Sequence, residues 1–160
     1  MNIEFVPAYE HAEEIEKLFK EYTDMLLVSD PEVRVCLNNQ YYDDELLHLE
    51  TKYGMLDGRL YLAYCDGEAA GCIGLRKMDN ERCEMKRLYV QEKFRGQKLG
   101  KLLVQHIISD AREIGYKYIL LDTLTFLKSA IHLYHECGFY EIERYNDNEL
   151  DAAIFMRLDL

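Results

Sequence analysis

Leu88-Tyr89-Val90-Gln91-Glu92-Lys93-Phe94-Arg95-Gly96-Gln97-Lys98-Leu99-Gly100-Lys101 is the stretch whose reading decides the fold. A strand ends at Val90, a basic loop follows, and a helix begins at once. From Lys98 to Ile114 the residues Leu99, Leu102, Leu103, His106, Ile107, Ala111 and Ile114 share one helical face, and Gly115 is placed to cap it. A helix N-terminus offers free backbone N–H groups and a dipole worth about half a positive charge, so it attracts anions. Gly96 and Gly100 remove Cβ atoms where a ligand would approach the backbone, and Arg95, Lys98 and Lys101 add positive charge. Such a loop suits a pyrophosphate. It has neither the spacing of a P-loop nor that of a Rossmann turn. The plainer alternative is a solvated basic loop whose glycine lets helices pack closely.

Upstream, Leu60 to Cys65 is rich in strand formers and runs into Asp66-Gly67, a hairpin turn signal. Ala69 to Met78 and Cys83 to Val90 continue an antiparallel meander. Before it stand a short strand, Ile3 to Val6, and an amphipathic helix from Tyr9 to Leu26 with Ile15, Leu18, Phe19, Tyr22 and Leu26 on one face. Ser29-Asp30-Pro31 breaks that pattern, and a weaker helix is predicted over Tyr41 to Lys52. Downstream follow a buried strand, Tyr116 to Asp122, a helix from Lys128 to Cys137, and closing strands Phe139 to Ile142 and Ala153 to Leu158. The order is β-α-α-β-β-β-α-β-α-β-β. The strand-helix-strand unit across Cys83 to Asp122 requires one parallel crossover inside an otherwise antiparallel sheet, hence an α/β mixed-sheet class. No repeat, linker or low-complexity tract divides the chain, so residues 1–160 read as one domain.

Arg95-Gly96-Gln97-Lys98-Leu99-Gly100 resembles the acetyl-CoA signature of the GNAT superfamily of N-acetyltransferases, Gln/Arg-x-x-Gly-x-Gly/Ala, with Lys98 where the middle glycine is usual. A Cβ at Lys98 is tolerable if its φ is that of an ordinary helix. Ala130-x-x-Leu133-Tyr134-x-x-x-Gly138-Phe139 is similar to a second family block, with Leu127 replacing its Asn. The resemblance covers nearly everything from Arg59 onward. It implies the GNAT fold, with acetyl-CoA as co-substrate and direct acetyl transfer to a primary amine in a ternary complex. It further implies that Leu88, Tyr89 and Val90 contact the acetyl and pantetheine portions, and that Arg95, Gly96, Gln97, Lys98, Leu99, Gly100 and Lys101 surround the phosphates.

A lysine-like amine has a pKa near 10.4, so about one in a thousand is neutral at pH 7.4 and a positioned base is useful. Glu84, six residues before Val90, has the spacing of the base in the superfamily's histone acetyltransferases. On a regular strand the two share a face, which a bulge would change. Otherwise Glu84 is an exposed carboxylate paired with Lys86. By the resemblance Tyr134 stands near the CoA sulfur and protonates the leaving thiolate; otherwise it is a core tyrosine beside Phe139. His132, His135 and Cys137 lack further ligands at diagnostic spacing, so no metal is expected.

The chain has 160 residues, 30 acidic against 19 basic, and a net charge of −11. That charge repels phosphate backbones, which argues against nucleic acid as a partner; it either attracts cationic small molecules or basic peptides or serves solubility alone. No apolar run is long enough for a bilayer and no signal peptide is evident. Five scattered cysteines without a C-x-x-C pair fit reduced thiols and a cytoplasmic protein. Acceptor specificity falls to the first helices, where Asp43, Asp44, Glu45 and Glu50 cluster, and to Arg144 through Glu149 between the last strands. The acceptor class stays open between small amines and peptides. A homodimer is compatible with the family, although no apolar patch decides it. A non-catalytic acyl-CoA sensor is the competing reading, against which Glu84 and Tyr134 weigh.

Overall fold

Asp66 and Gly67 both take positive φ, 50° and 83°, the backbone that a two-residue hairpin turn requires. In this computed structural model, which describes residues 2–39, 45 and 48–160, that hairpin joins β2 (Arg59–Cys65) to β3 (Glu68–Lys77). β1 (Ile3–Pro7) pairs on the far side of β2, and β4 (Arg82–Val90) on the far side of β3, all antiparallel. The later strands are β5 (Tyr118–Leu124), β6 (Tyr140–Ile142) and β7 (Ala153–Asp159). They complete a seven-stranded sheet in the order β1-β2-β3-β4-β5-β7-β6. Among the described residues only β4 and β5 are parallel neighbours, as the crossover required.

Helices cover both faces. α1 (Ala12–Ser29), α2 (Val33–Asn39) and α3 (Leu49–Tyr53) bury Ile15, Leu18, Phe19, Val33, Leu37, Leu49 and Tyr53 against one face, beside Leu60, Leu62 and Cys72. α4 (Leu99–Ile114) buries Leu99, Leu103, Val104, Ile107, Ile108 and Ala111 on the other, with α5 (Lys128–Glu136) beside it. The centre of the α4 stripe therefore lies one residue further round than predicted: Val104 and Ile108 are inside, and Leu102 is 39% exposed.

α2 was not anticipated. Ser29-Asp30-Pro31 suggested a break, but Asp30 Oδ1 accepts the Glu32 N–H at 3.0 Å and turns the chain into a helix that the burial of Val33 and Leu37 then stabilises. Much of the helix expected over Tyr41–Lys52 lies outside the described residues, as do Asp43, Asp44 and the side chain of Glu50. Glu45 and α3 are the described parts of it.

Candidate active-site cleft

Two irregularities in β4 make the cleft. β4 and β5 pair only through Arg82↔Tyr118, Cys83↔Ile119 and Glu84↔Leu120, and then separate. From Met85 to Val90 the β5 side of β4 is therefore an unpaired edge inside the sheet. On its other side the register with β3 slips: Lys86 faces Gly74 while Tyr89 faces Cys72, so Arg87 and Leu88 together oppose Ile73. This is a bulge, with Arg87 at φ 60°. It reverses the parity expected from spacing. Glu84 lies on the side of Gly74 and Tyr53, whereas Val90 packs toward α4, so the two do not share a face.

Arg87 carries its strained backbone because its side chain is fixed. Its guanidinium donates to Glu45 through Nε at 2.8 Å and Nη2 at 3.0 Å, and Lys52 and the Tyr53 hydroxyl donate to the same carboxylate at 2.6 and 2.9 Å. Burial alone would raise the Glu45 pKa, but Arg87 and Lys52 outweigh it and bring the carboxyl down to about 2. Burial, with Lys86 and Arg87 nearby, lowers the Lys52 ammonium to about 8.

The cleft holds about 360 Å³ of empty space, part of it open to solvent, lined by Tyr22, Met85, Lys86, Arg87, Leu88, Asp122, Thr123 and Tyr134. Tyr134 is 7% exposed and stacks edge-on against Phe139 with ring centroids 5.8 Å apart. Its hydroxyl makes no hydrogen bond among the described residues, and burial raises its pKa well above the usual value, so it keeps its proton. Tyr22, facing the same space from α1, is raised to about 12, by burial first and by Asp122, against the pull of Arg87.

Glu84 is paired with Lys86, at 3.7 Å, but it is buried where the alternative to a base role was an exposed carboxylate. Its closer partners come from the facing strand and from a distant loop: Arg76 Nε donates at 2.6 Å and the Tyr145 hydroxyl at 2.5 Å. Burial pushes its pKa up, and Lys86, Arg76 and Tyr145 together bring it down to about 2. Asp122, which the sequence marked only as a strand end, accepts Nδ2 of both Asn146 (2.9 Å) and Asn148 (3.1 Å) on one oxygen, Oδ2. No local spacing pointed to Arg76, Asn146 or Asn148 as partners of these carboxylates.

The basic loop continues the cleft. Glu92–Phe94 form one 3₁₀ turn, Gly96 has φ 79°, and Lys98 is left-handed at φ 64° and ψ 15°. The helical φ that would have made Lys98 an ordinary substitute for glycine is thus absent: the loop needs a glycine-like backbone there and Lys98 supplies it under strain. The first backbone hydrogen bond into α4 is Leu102 N to Lys98 O at 3.1 Å. The N–H groups from Gly96 to Lys101 donate to no described residue. Gly96 has open space where a Cβ would be, whereas a Cβ on Gly100 would lie 3.3 Å from Leu133 Cδ2, so Gly100 serves the packing of α4 on α5. That contact joins the loop to the residue next to Tyr134. Arg95 turns back, donating from Nε to Val90 O at 3.0 Å and lying 5.7 Å from the Tyr89 ring centroid. Lys101 reaches Glu136 at 3.8 Å.

Among the described residues no group of three or more His, Cys, Asp or Glu side chains is arranged to hold a metal, and no helix is long and apolar enough to cross a membrane.

With this geometry in place, comparison with known proteins is informative. Residues 12–139 match the Acetyltransferase (GNAT) family. An uncharacterized N-acetyltransferase of Dictyostelium discoideum is 33% identical with 100% of both chains covered. One of Schizosaccharomyces pombe is 40% identical over 78% of this chain and 77% of its own. Among solved structures, the PaiA N-acetyltransferase of Thermoplasma acidophilum, crystallised with coenzyme A, superposes with a TM-score of 0.77 at 18% identity over 100% of both chains, a likeness of fold.

Proposed function

The chain belongs to the GNAT family of acetyltransferases, and on that premise we propose that it transfers the acetyl group of acetyl-CoA to a primary amine by direct attack in a ternary complex, as a single domain over residues 1–160. The observation that carries this is the unpaired edge of β4 from Met85 to Val90, which leads from the polar cleft to a run of free N–H groups at the start of α4. An extended amide-bearing chain can pair along such an edge, as a strand would. The pantetheine arm of acetyl-CoA is one, and the fold neighbour from Thermoplasma holds coenzyme A.

In this reading Leu88, Tyr89 and Val90 contact the acetyl and pantetheine portions. Gly96, Gln97, Lys98, Leu99, Gly100 and Lys101 surround the pyrophosphate through backbone N–H groups and positive charge, with Arg95 bracing the turn. The neutral amine nitrogen attacks the thioester carbonyl carbon, the C–N bond forms as the nitrogen gives up a proton to water, the C–S bond breaks, and the sulfur leaves as a thiolate. Tyr134, protonated and without a hydrogen-bond partner among the described residues, supplies the proton to that sulfur and regains one from water. Burial weakens Tyr134 as an acid, but the same surroundings make the thiolate a stronger base. Glu84, with its carboxyl near 2 and its oxygens engaged, is a weak base; any proton it takes passes through Tyr145 or water. Its direct effect is to position Lys86, Arg76 and Tyr145. The five free cysteines support a reducing compartment, the cytoplasm.

Isothermal titration with acetyl-CoA, free CoA and ATP tests the reading. Micromolar binding confined to the CoA species is expected. Absence of binding to acetyl-CoA would remove it.

A further inference from the structure

Lys86 and Asp122 occupy equivalent positions on the two separating strands. The parallel register Glu84↔Leu120 would place Lys86 opposite Asp122 if it ran two residues further, and both side chains would lie on the same face. It stops short, and among the described residues no ion pair joins the two. The Lys86 side chain is only 6% exposed, yet its ammonium makes no hydrogen bond with any described residue. Its one carboxylate neighbour, Glu84 at 3.7 Å, already accepts closer hydrogen bonds from Arg76 and Tyr145. Asp122 spends Oδ2 on Asn146 and Asn148, and Oδ1 accepts from no described side chain. Both residues line the cleft. A buried ammonium whose three donors meet no acceptor among the described residues is costly unless something else supplies acceptors.

Resting on the acetyltransferase reading, the geometry points to an acceptor that is a zwitterion: a free amino acid or similar small molecule, its ammonium on Asp122 Oδ1 and its carboxylate on Lys86. Asp122 is close enough to Tyr134 to contribute to its raised pKa. An amine held at Asp122 is thus beside the residue proposed to meet the CoA sulfur, with its carboxylate directed away along the strands toward Lys86. The overall charge of −11 favours a cationic acceptor at long range, but the cleft lining carries Asp122 against Lys86 and Arg87, of which Arg87 is bound to Glu45.

The test is a panel of free amino acids, each beside its decarboxylated amine and its methyl ester, with release of the CoA thiol as readout. The amino acids are expected to exceed their uncharged-end counterparts in kcat/KM by about ten- to a hundredfold, the range of one charge-assisted hydrogen bond. Lys86→Met should bring that ratio to within about threefold of one, Lys86→Arg should retain most of it, and acetyl-CoA affinity by titration should stay within about threefold in both. Wild-type protein that uses amines without a carboxylate equally well overturns the assignment. So does Lys86→Met that keeps the full discrimination, or binding of acetyl-CoA with no transfer to any amino acid. Failure to bind acetyl-CoA at all strikes instead at the underlying acetyltransferase reading, and the titration separates the two.

Discussion

Tyr134 is the residue on which turnover should most visibly depend. It lines the cleft, is buried, and has no hydrogen-bond partner among the described residues, so removing its hydroxyl breaks no hydrogen bond with any of them. Tyr134→Phe is therefore expected to leave folding intact and acetyl-CoA affinity within about threefold, under about 0.7 kcal/mol. The rate of thiol release should fall by about a hundredfold, the lower end for loss of a positioned proton donor. Steady-state kinetics beside titration check this, and an unchanged rate would take Tyr134 out of the mechanism. At this scale the sequence was legible where partners sit close in the chain, as in the Arg95–Lys101 loop. It was not legible at Glu84, whose partners Arg76 and Tyr145 come from other strands and loops, nor at Asp122, whose partners lie on the loop before β7. Spacing identifies a carboxylate; only the folded sheet brings in the groups that bind it.

Among the elements, the start of α4 holds the strain. Lys98 adopts φ 64°, a backbone that costs an L-residue about 1–2 kcal/mol and glycine little. Glycine loses about 0.5–1 kcal/mol more than alanine in chain entropy on folding, so the net gain of Lys98→Gly should be about 0.5–1 kcal/mol. Urea denaturation would show it, and a loss of stability would contradict the left-handed assignment. The motif itself hinted at this, since a glycine is usual at the position. The β4 bulge, by contrast, left no mark in the sequence. Arg87 has no turn residue beside it, and its positive φ is held by Glu45, forty-two residues away. The strand and helix order was legible because apolar periodicity is local. α2 was not, because its two buried valine and leucine contacts act through the far face of the sheet.

For the molecule as a whole, the deeply buried carboxylates tie stability to pH. Glu45 and Glu84 have folded-state pKa values near 2 against an ordinary 4.5. Lowered values of this kind stabilise the fold fully above the unfolded pKa, and that contribution is lost as pH falls from about 5 toward 2. Urea midpoints should accordingly hold from pH 7 to about 5 and drop steeply below 4. Glu45→Gln, which removes the carboxylate that Arg87 binds, should cost about 3–5 kcal/mol at pH 7 and much less at pH 3. A wild-type midpoint independent of pH down to 3 would mean that these pairs do not stabilise the fold.

The gap between β4 and β5 has one more consequence, for how the protein lives among others. An unpaired strand edge is a template onto which a stray chain can add, and most sheets blunt it at their rim with charges, prolines or short strands. Here a long unpaired edge lies in the middle of the sheet, with α1 to α3 over one face and α4 and α5 over the other. A slender, flexible cofactor can thread into that position. A second protein's strand, tethered to its own sheet, finds no flat approach, so the same opening that admits a ligand is sheltered from aggregation.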